Sequence, residues 1–432
     1  MTHITIKNVG PIKNVELDLN KINVFMGPQS SGKSTIAKII SYCSWFEKNC
    51  ILAAKPLKDF YSELVEYHNL EDTYFDNESY IEYRSKNCHI VFVGSNKKNV
   101  QITTTVDSDN VFKNEKIEYI PAERNVVAIP SIGKYTETHN NILAFLYDWF
   151  EAKREKKKET QFVLPIKSLD DVSYYYSIED DSDKVLIDDG KEIKLQHTSS
   201  GLISLTPLII VFDYIVNGIY FKKRVKSPFE IVNLRTMLNS FDDDIKGRLL
   251  KLMNEMEDTS SRLKKAKSFQ QEYKNVISDE LKAELEDIEN VLNDLQRDFS
   301  REIGFDSDYN YSKVIIEEPE LNLFPGTQQE LVYYMLSELN ASQREHQLVL
   351  TTHSPYILFS LNNCMMGGLV KDNIPEKERE KFASHNAWID PKKVWPWHHP
   401  ARESRCLSTT SRYWDGCGWP APGSRCPCRS TP

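Results

Sequence analysis

Three short clusters in this chain carry the residue types that phosphate chemistry needs. Gly27-Pro28-Gln29-Ser30-Ser31-Gly32-Lys33-Ser34-Thr35 fits G-x-x-x-x-G-K-[ST]. In that pattern the glycines let the backbone curl so that successive N–H groups face phosphate oxygens, helped by the positive end of the following helix. Lys33 is expected to reach the β- and γ-phosphates of a nucleoside triphosphate such as ATP, and Ser34 to offer its hydroxyl to Mg²⁺. A second cluster, Ile315-Ile316-Glu317-Glu318, ends an apolar run in paired carboxylates. Glu317 suits a water-mediated hold on Mg²⁺, and Glu318 suits orienting or deprotonating the attacking water. A third, Thr352-His353, ends another apolar run with an imidazole able to touch a γ-phosphate. Each has a plain alternative: a glycine turn without ligand, or a strand followed by a charged loop.

The elements around these clusters decide between the readings. Ile22–Phe25 reads as a strand and Thr35–Ile40 as a helix start, which gives the phosphate loop its strand–loop–helix setting. Lys313–Ile316 and Gln347–Thr351 read as further strands, each ending in a polar cluster, and α/β sites lie at strand carboxyl ends. Residues 41–75 read as helical, 79–120 as short strands, and 140–159 as a helix ending in the basic run Lys153–Lys158. That run suits a solvated helix end, with nucleic-acid contact as the alternative. Tyr174–Ile178, Val185–Ile187 and Glu192–Leu195 suggest a hairpin with one more strand. Thr198-Ser199-Ser200-Gly201 then precedes an apolar helix. The expected fold class is α/β.

The stretch Leu202–Phe221 is long enough to span a bilayer, but Pro207, Asp213 and Asn217 interrupt it, so a buried helix and no membrane contact are expected. Residues 241–303 alternate Glu and Lys around a narrow stripe, Leu281, Leu285, Ile288, Leu292 and Leu295, the pattern of a helical hairpin or coiled coil. With 432 residues, 40% of them hydrophobic, the chain can bury a sizeable core, and a net charge of −9 argues against a bulk polyanion binder. Met1–Ile6 reads as a strand, not a leader, and Cys43, Cys50, Cys88 and Cys364 lack metal spacing, so a cytoplasmic protein is expected. From Trp395 the composition changes to Trp, Pro, Arg and Cys without helix or strand period. Zinc on those cysteines with His398 and His399 is the alternative to a disordered or out-of-frame tail.

With four motifs in order, the chain resembles the ABC-type ATPases of the branch containing RecF, SMC, Rad50 and the OLD-type nucleases, and looks most like the antiphage ATPases of the Septu and PARIS type. The opening Ile4–Leu17 is similar to that branch's first hairpin, and Pro121-Ala122-Glu123-Arg124 to its loop after an early core strand. Thr198–Leu202 resembles the signature motif, Glu317–Glu320 the Walker B, Glu320–Pro325 the D-loop, and Thr352-His353 the switch histidine. The chain departs from transporters at Ser200 and Leu202, carries Glu317 where many relatives have Asp, and offers no clear Q-loop glutamine.

The resemblance implies an ABC-type P-loop ATPase head with a helical, coiled-coil-like insertion. Residues 1–240 and 305–394 would form the head, 241–304 the insertion and 395–432 an atypical tail. The resemblance implies Glu318, His353 and Lys33 as catalytic residues and Ser34 and Glu317 at the metal. It also implies that Ser199, Ser200 and Gly201 cap ATP on a second subunit, in a homodimer or higher oligomer. No nuclease region of that branch follows His353, so an effector nuclease or toxin would be another chain. DNA is a possible partner, and a RecF- or SMC-like role in DNA maintenance is the alternative function; a transporter subunit or a non-hydrolysing scaffold fits the motifs less well.

Overall fold

The computed structural model describes residues 2–53, 59–98, 100–104, 113–129, 140–169, 172–187, 190–220 and 309–398, with isolated helical positions between 247 and 295. Most of the expected insertion over 241–304, and the chain beyond 398 with every candidate zinc ligand but His398, lie outside the described residues.

Apolar runs flanked by turn residues build three sheets. A hairpin of β1 (Thr2–Val9) and β2 (Ile12–Leu19) leads into β3 (Ile22–Met26) and then α1 (Lys33–Ala53). After α2 (Phe60–Tyr67), β4 (Phe75–Arg84), β5 (Cys88–Val93) and β6 (Gln101–Thr104) extend the hairpin into an antiparallel sheet ordered β2-β1-β4-β5-β6. β7 (Glu115–Ile120) and α3 (Asn141–Arg154) follow. Then β8 (Phe162–Val163), β9 (Ser173–Ser177), β10 (Ser182–Ile187) and β11 (Lys191–Lys194) form a small antiparallel sheet.

The centre is a parallel sheet. α4 (Ser200–Val216) precedes β12 (Tyr311–Glu317), which is followed by α5 (Pro325–Ala341), β13 (Gln347–Thr352) and α6 (Pro355–Val370). β14 (Val394–His398) completes the order β14-β3-β13-β12-β7, every neighbouring pair parallel. Alternation along the strands divides the interior in two. Val24, Val314, Ile316, Leu348 and Leu350 face a core with Trp149 of α3, Phe212 of α4 and Met335 of α5. Phe25, Ile315 and Val349 face α1 and the antiparallel sheet, in a core with Phe46, Phe60 and Phe92. The α/β class follows from this layering.

Two expectations change here. The sequence reading begins the atypical tail at Trp395, whereas the backbone keeps residues through His398 in the central sheet. β14 is an edge strand, where Pro396 is tolerated because only one side of the strand enters a ladder. The helix expected over 140–159 ends at Arg154. Its basic run is matched to acids: Lys153 lies 3.1 Å from Asp183, Lys156 2.6 Å from Asp213 and Lys158 3.7 Å from Glu192. Lys153 and Lys156 tie the end of α3 and the residues after it to β10 and α4, while exposed Lys158 pairs with β11. The apolar helix Ser200–Tyr220 is long enough to cross a membrane, and 72% of its apolar window is buried inside the protein, as expected of a core helix.

Candidate functional site

The phosphate loop connects β3 to α1 through two backbone positions in the left-handed region, Ser30 (φ 58°) and Gly32 (φ 93°). Gly32 is required on a second count, since a Cβ there would meet Ile12 Cγ1 at 2.7 Å. Pro28, Gln29 and Ser30 are exposed, Gly27, Ser31, Lys33 and Thr35 are buried, and Ser34 is half-buried one residue into α1. Lys33 Nζ donates to Gly27 O at 2.9 Å and Pro28 O at 2.7 Å, so the loop wraps its own cation. Burial lowers the Lys33 pKa, and the carboxylates of Glu318 and Glu320 oppose that shift.

β12 and β13 bring the other two clusters to the same place. Their parallel pairing ends at Glu317 opposite Thr351, so Glu318 and His353 leave adjacent strand ends together. Glu318 Oε1 lies 3.0 Å from His353 Nε2, and His353 Nδ1 lies 3.4 Å from Lys33 Nζ. An ammonium donates only, so Nδ1 accepts and Nε2 carries the proton donated to Glu318. Lys33, His353 and Glu318 thus form one line across three strand ends. Glu317 is buried; its Oε2 takes a 3.4 Å hydrogen bond from Ala122 N, and its Oε1 has no hydrogen-bond partner among the described residues. A buried carboxylate oxygen left open in this way fits a hard divalent cation.

Ser199 caps α4, its Oγ accepting from Leu202 N at 3.3 Å. Ser199 and Ser200 are exposed. Gly201 rests on the turn after β12: a Cβ there would lie 3.1 Å from Asn322 O, and Asn322 Nδ2 donates to Ser204 Oγ at 3.0 Å. The structure therefore joins Lys33, Glu318 and His353 directly. It sets Ser199–Gly201 against the Asn322 segment.

Two residues escape the sequence reading in their roles. Glu320 Oε1 accepts from Thr352 Oγ1 at 2.8 Å, His353 N at 2.6 Å and Ser354 N at 3.1 Å, which fixes the backbone carrying the histidine. Arg124, wholly buried, donates to backbone carbonyls at the end of β12 and in α4. Both lie in stretches the sequence marks, Pro121–Arg124 and Glu317–Glu320, but neither stretch reveals which backbone groups the side chain holds.

A parallel sheet with a phosphate loop after one strand, and carboxylates and a histidine on its neighbours, defines a P-loop nucleoside triphosphatase. Residues 3–300 match the model of the AAA domain family, and residues 305–358 match the AAA ATPase domain. The chain belongs to the AAA domain family and is an ATP-hydrolysing enzyme. Among solved structures it is similar to the SMC head domain from Thermotoga maritima, at 8% identity and a TM-score of 0.34, over 83% of this chain and 90% of that one. A RecF recombination mediator matches at 12% identity and 0.27, covering 82% and 92%. A dimeric ATP-binding cassette protein bound to ADP and Pi matches at 13% identity and 0.23, covering 82% and 89%. No curated protein matches the chain in sequence.

Proposed function

We propose that this ATPase is a switch whose ATP sites are completed by a second copy of the chain, acting in bacterial antiphage defence together with an effector nuclease or toxin chain. The observation that carries the switch is the placement of Ser199–Gly201. Ser199 and Ser200 at the start of α4 are exposed, Ser199 caps the helix, and Gly201 leans on the turn following Glu318. An exposed helix start of this kind offers N–H groups and a positive dipole end to a phosphate, and the second copy supplies that phosphate. The defence role rests on the likeness of the motif set to Septu- and PARIS-type ATPases.

ATP is held by residues 27–35. Lys33 gives up donors to Gly27 and Pro28 carbonyls in favour of phosphate oxygens. Ser34 and Glu317 would hold Mg²⁺, which when bound draws charge off the phosphates. Glu318 takes the proton of the attacking water as its oxygen bonds to the γ-phosphorus and the bond to ADP breaks. His353, already touching both Lys33 and Glu318, is placed to sense whether the γ-phosphate is present.

Mixing variants tests the trans arrangement. Ser199→Arg should bind ATP as the wild type does but fail to dimerise with it, and Lys33→Ala should bind ATP roughly ten- to a hundredfold more weakly. Each homodimer should be inactive, while the mixture regains up to one working site in two. A Ser199→Arg protein that dimerises and hydrolyses normally would sink the proposal.

A further inference from the structure

Arg124 sits in the short helical turn after β7, and its guanidinium faces no carboxylate at hydrogen-bond distance among the described residues. Its N–H groups go to backbone carbonyls: Nε to Ser204 O at 3.0 Å, Nη1 to Pro121 O at 3.2 Å and Glu317 O at 2.9 Å, and Nη2 to Glu318 O at 2.8 Å. The side chain is 0% exposed. Desolvation brings its pKa down to about 10, and the field of Glu320, Glu318 and Glu317 opposes that, so it remains a cation at neutral pH. A buried cation without a direct counter-ion is expensive, which asks what the arrangement achieves.

The topology answers. Pairing between β12 and β7 ends at Ile316 opposite Ile120, so the next carbonyls of β12 have lost the neighbour strand that would satisfy them. Arg124 takes its place at the Glu317 carbonyl and shares the Glu318 carbonyl with Leu321 N, which donates to it at 3.0 Å. On the other side Glu318 N donates to Thr351 O at 2.9 Å. Between these anchors Glu318 is held at φ 42°, a left-handed conformation that a residue with a Cβ rarely adopts. The same guanidinium reaches Ser204 in α4, the helix whose start is exposed. Asn322, itself at φ 60°, closes a second link between that helix and the turn through Ser204 Oγ.

We propose that Arg124 is a positioning residue for hydrolysis: it holds the Glu318 backbone in its strained turn and ties that turn to α4, so that the position of the exposed helix start sets the position of the carboxylate. The inference rests on Glu318 being the group that activates water. Only a planar fork with several donors can bond these four carbonyls at once; a lysine, a single flexible donor point, cannot. The link is a chain of packed, hydrogen-bonded groups, which is the physical requirement for coupling two sites.

The test separates binding from turnover in the full chain, with Arg124→Lys, Asn322→Ala and Glu318→Gln beside the wild type. A fluorescent ATP analogue measures affinity and phosphate release measures kcat. Arg124→Lys should keep nucleotide affinity within about threefold while kcat falls about tenfold or more, the pattern of a group acting only on the chemical step. Asn322→Ala should lower kcat about threefold or more in the same way. A kcat loss below tenfold in Arg124→Lys, or one matched by an equal loss of affinity, overturns the inference. If Arg124→Lys does not fold, Asn322→Ala decides, and an unchanged kcat there overturns it. Glu318→Gln tells the two readings apart: full activity in it removes the base itself, whereas an inactive Glu318→Gln beside an unaffected Arg124→Lys overturns the role of Arg124 alone.

Discussion

At the carboxyl ends of the central strands, Lys33 donates to the carbonyls of Gly27 and Pro28, and Arg124 to those of Pro121, Glu317, Glu318 and Ser204. Toward the amino ends, cations meet carboxylates: buried Lys313 lies 3.4 Å from Glu115 and half-buried Lys116 lies 2.6 Å from Asp148. Both regions put charges in the interior of one sheet. The difference lies in who receives the protons. A cation spent on a carboxylate neutralises it and locks both groups, which suits a base that only has to hold strands and helices together. A cation spent on carbonyls leaves nearby carboxylates charged and open. Glu317 Oε1 and Glu320 Oε2 are buried there without hydrogen-bond partners among the described residues; Glu115 Oε2 and Glu118 Oε1 lack them at the other end too, but there a lysine stands within 3.5 Å of each carboxylate. Charge without a partner is costly in a structure and useful in a site.

That contrast says where substitutions should abolish turnover and where they should cost stability. Glu318→Gln should produce the largest effect on rate, because an amide of the same shape cannot accept a proton from water. Hydrolysis should fall about 10²–10⁴-fold with ATP still bound. If Glu317→Gln stops turnover while Glu318→Gln spares it, the two carboxylates have exchanged roles. Lys33→Ala should cut ATP affinity roughly ten- to a hundredfold, the worth of a charge-assisted contact of about 1.5–3 kcal/mol. Calorimetry showing wild-type affinity would break the assignment of the loop.

The opposite end should respond in stability and not in binding. Lys313 is buried between Glu115 and Ser44, donating to Ser44 Oγ at 2.7 Å. Lys313→Met leaves Glu115 a buried charge without its cation, which costs about 3–5 kcal/mol. Denaturant unfolding should show that loss, while ATP affinity in the folded fraction stays within about twofold. A large affinity loss with unchanged stability would erase the distinction between the two ends.

How much of this is legible in the sequence follows from where the information sits. The phosphate loop is local: nine consecutive residues determine its shape, and the strand before it and the helix after it are readable from apolar runs. Glu317, Glu318 and His353 are readable because strand ends collect site residues in α/β sheets. The role of Arg124 is not, because three of its four partners are backbone carbonyls 80 to 194 positions away, and every residue has a carbonyl. Glu320 lies inside a recognised motif, yet its grip on His353 depends on β12 and β13 being neighbours. The start of the tail misleads for the reverse reason: its Trp and Pro content breaks the period, while an edge strand needs only backbone on one side.

The effect predicted to vanish at neutral pH also lies toward the amino ends, where a neutral histidine stands among the cations. His346 is fully buried; its Nδ1 accepts from Ser312 N at 3.1 Å, and its Nε2 lies 2.9 Å from Ser342 Oγ. Desolvation first, then Lys21 and Arg344, push its pKa down from 6.5 to about 4. Because the folded value lies below the unfolded one, the unfolded chain binds more protons between about pH 6.5 and pH 4, and stability falls as pH drops through that window. Each pH unit inside the window costs about 1 kcal/mol, so at pH 4.5 the loss should be on the order of 2 kcal/mol relative to neutral pH. Gln can accept and donate much as the neutral ring does, so His346→Gln should flatten the acid limb of stability and change little at pH 7.5. His68, buried and shifted the same way, is common to both proteins and cancels in the difference. Urea unfolding of the two proteins across pH 7.5 to 4.5 measures this, and parallel curves would show that His346 does not carry the acid sensitivity of this end of the sheet.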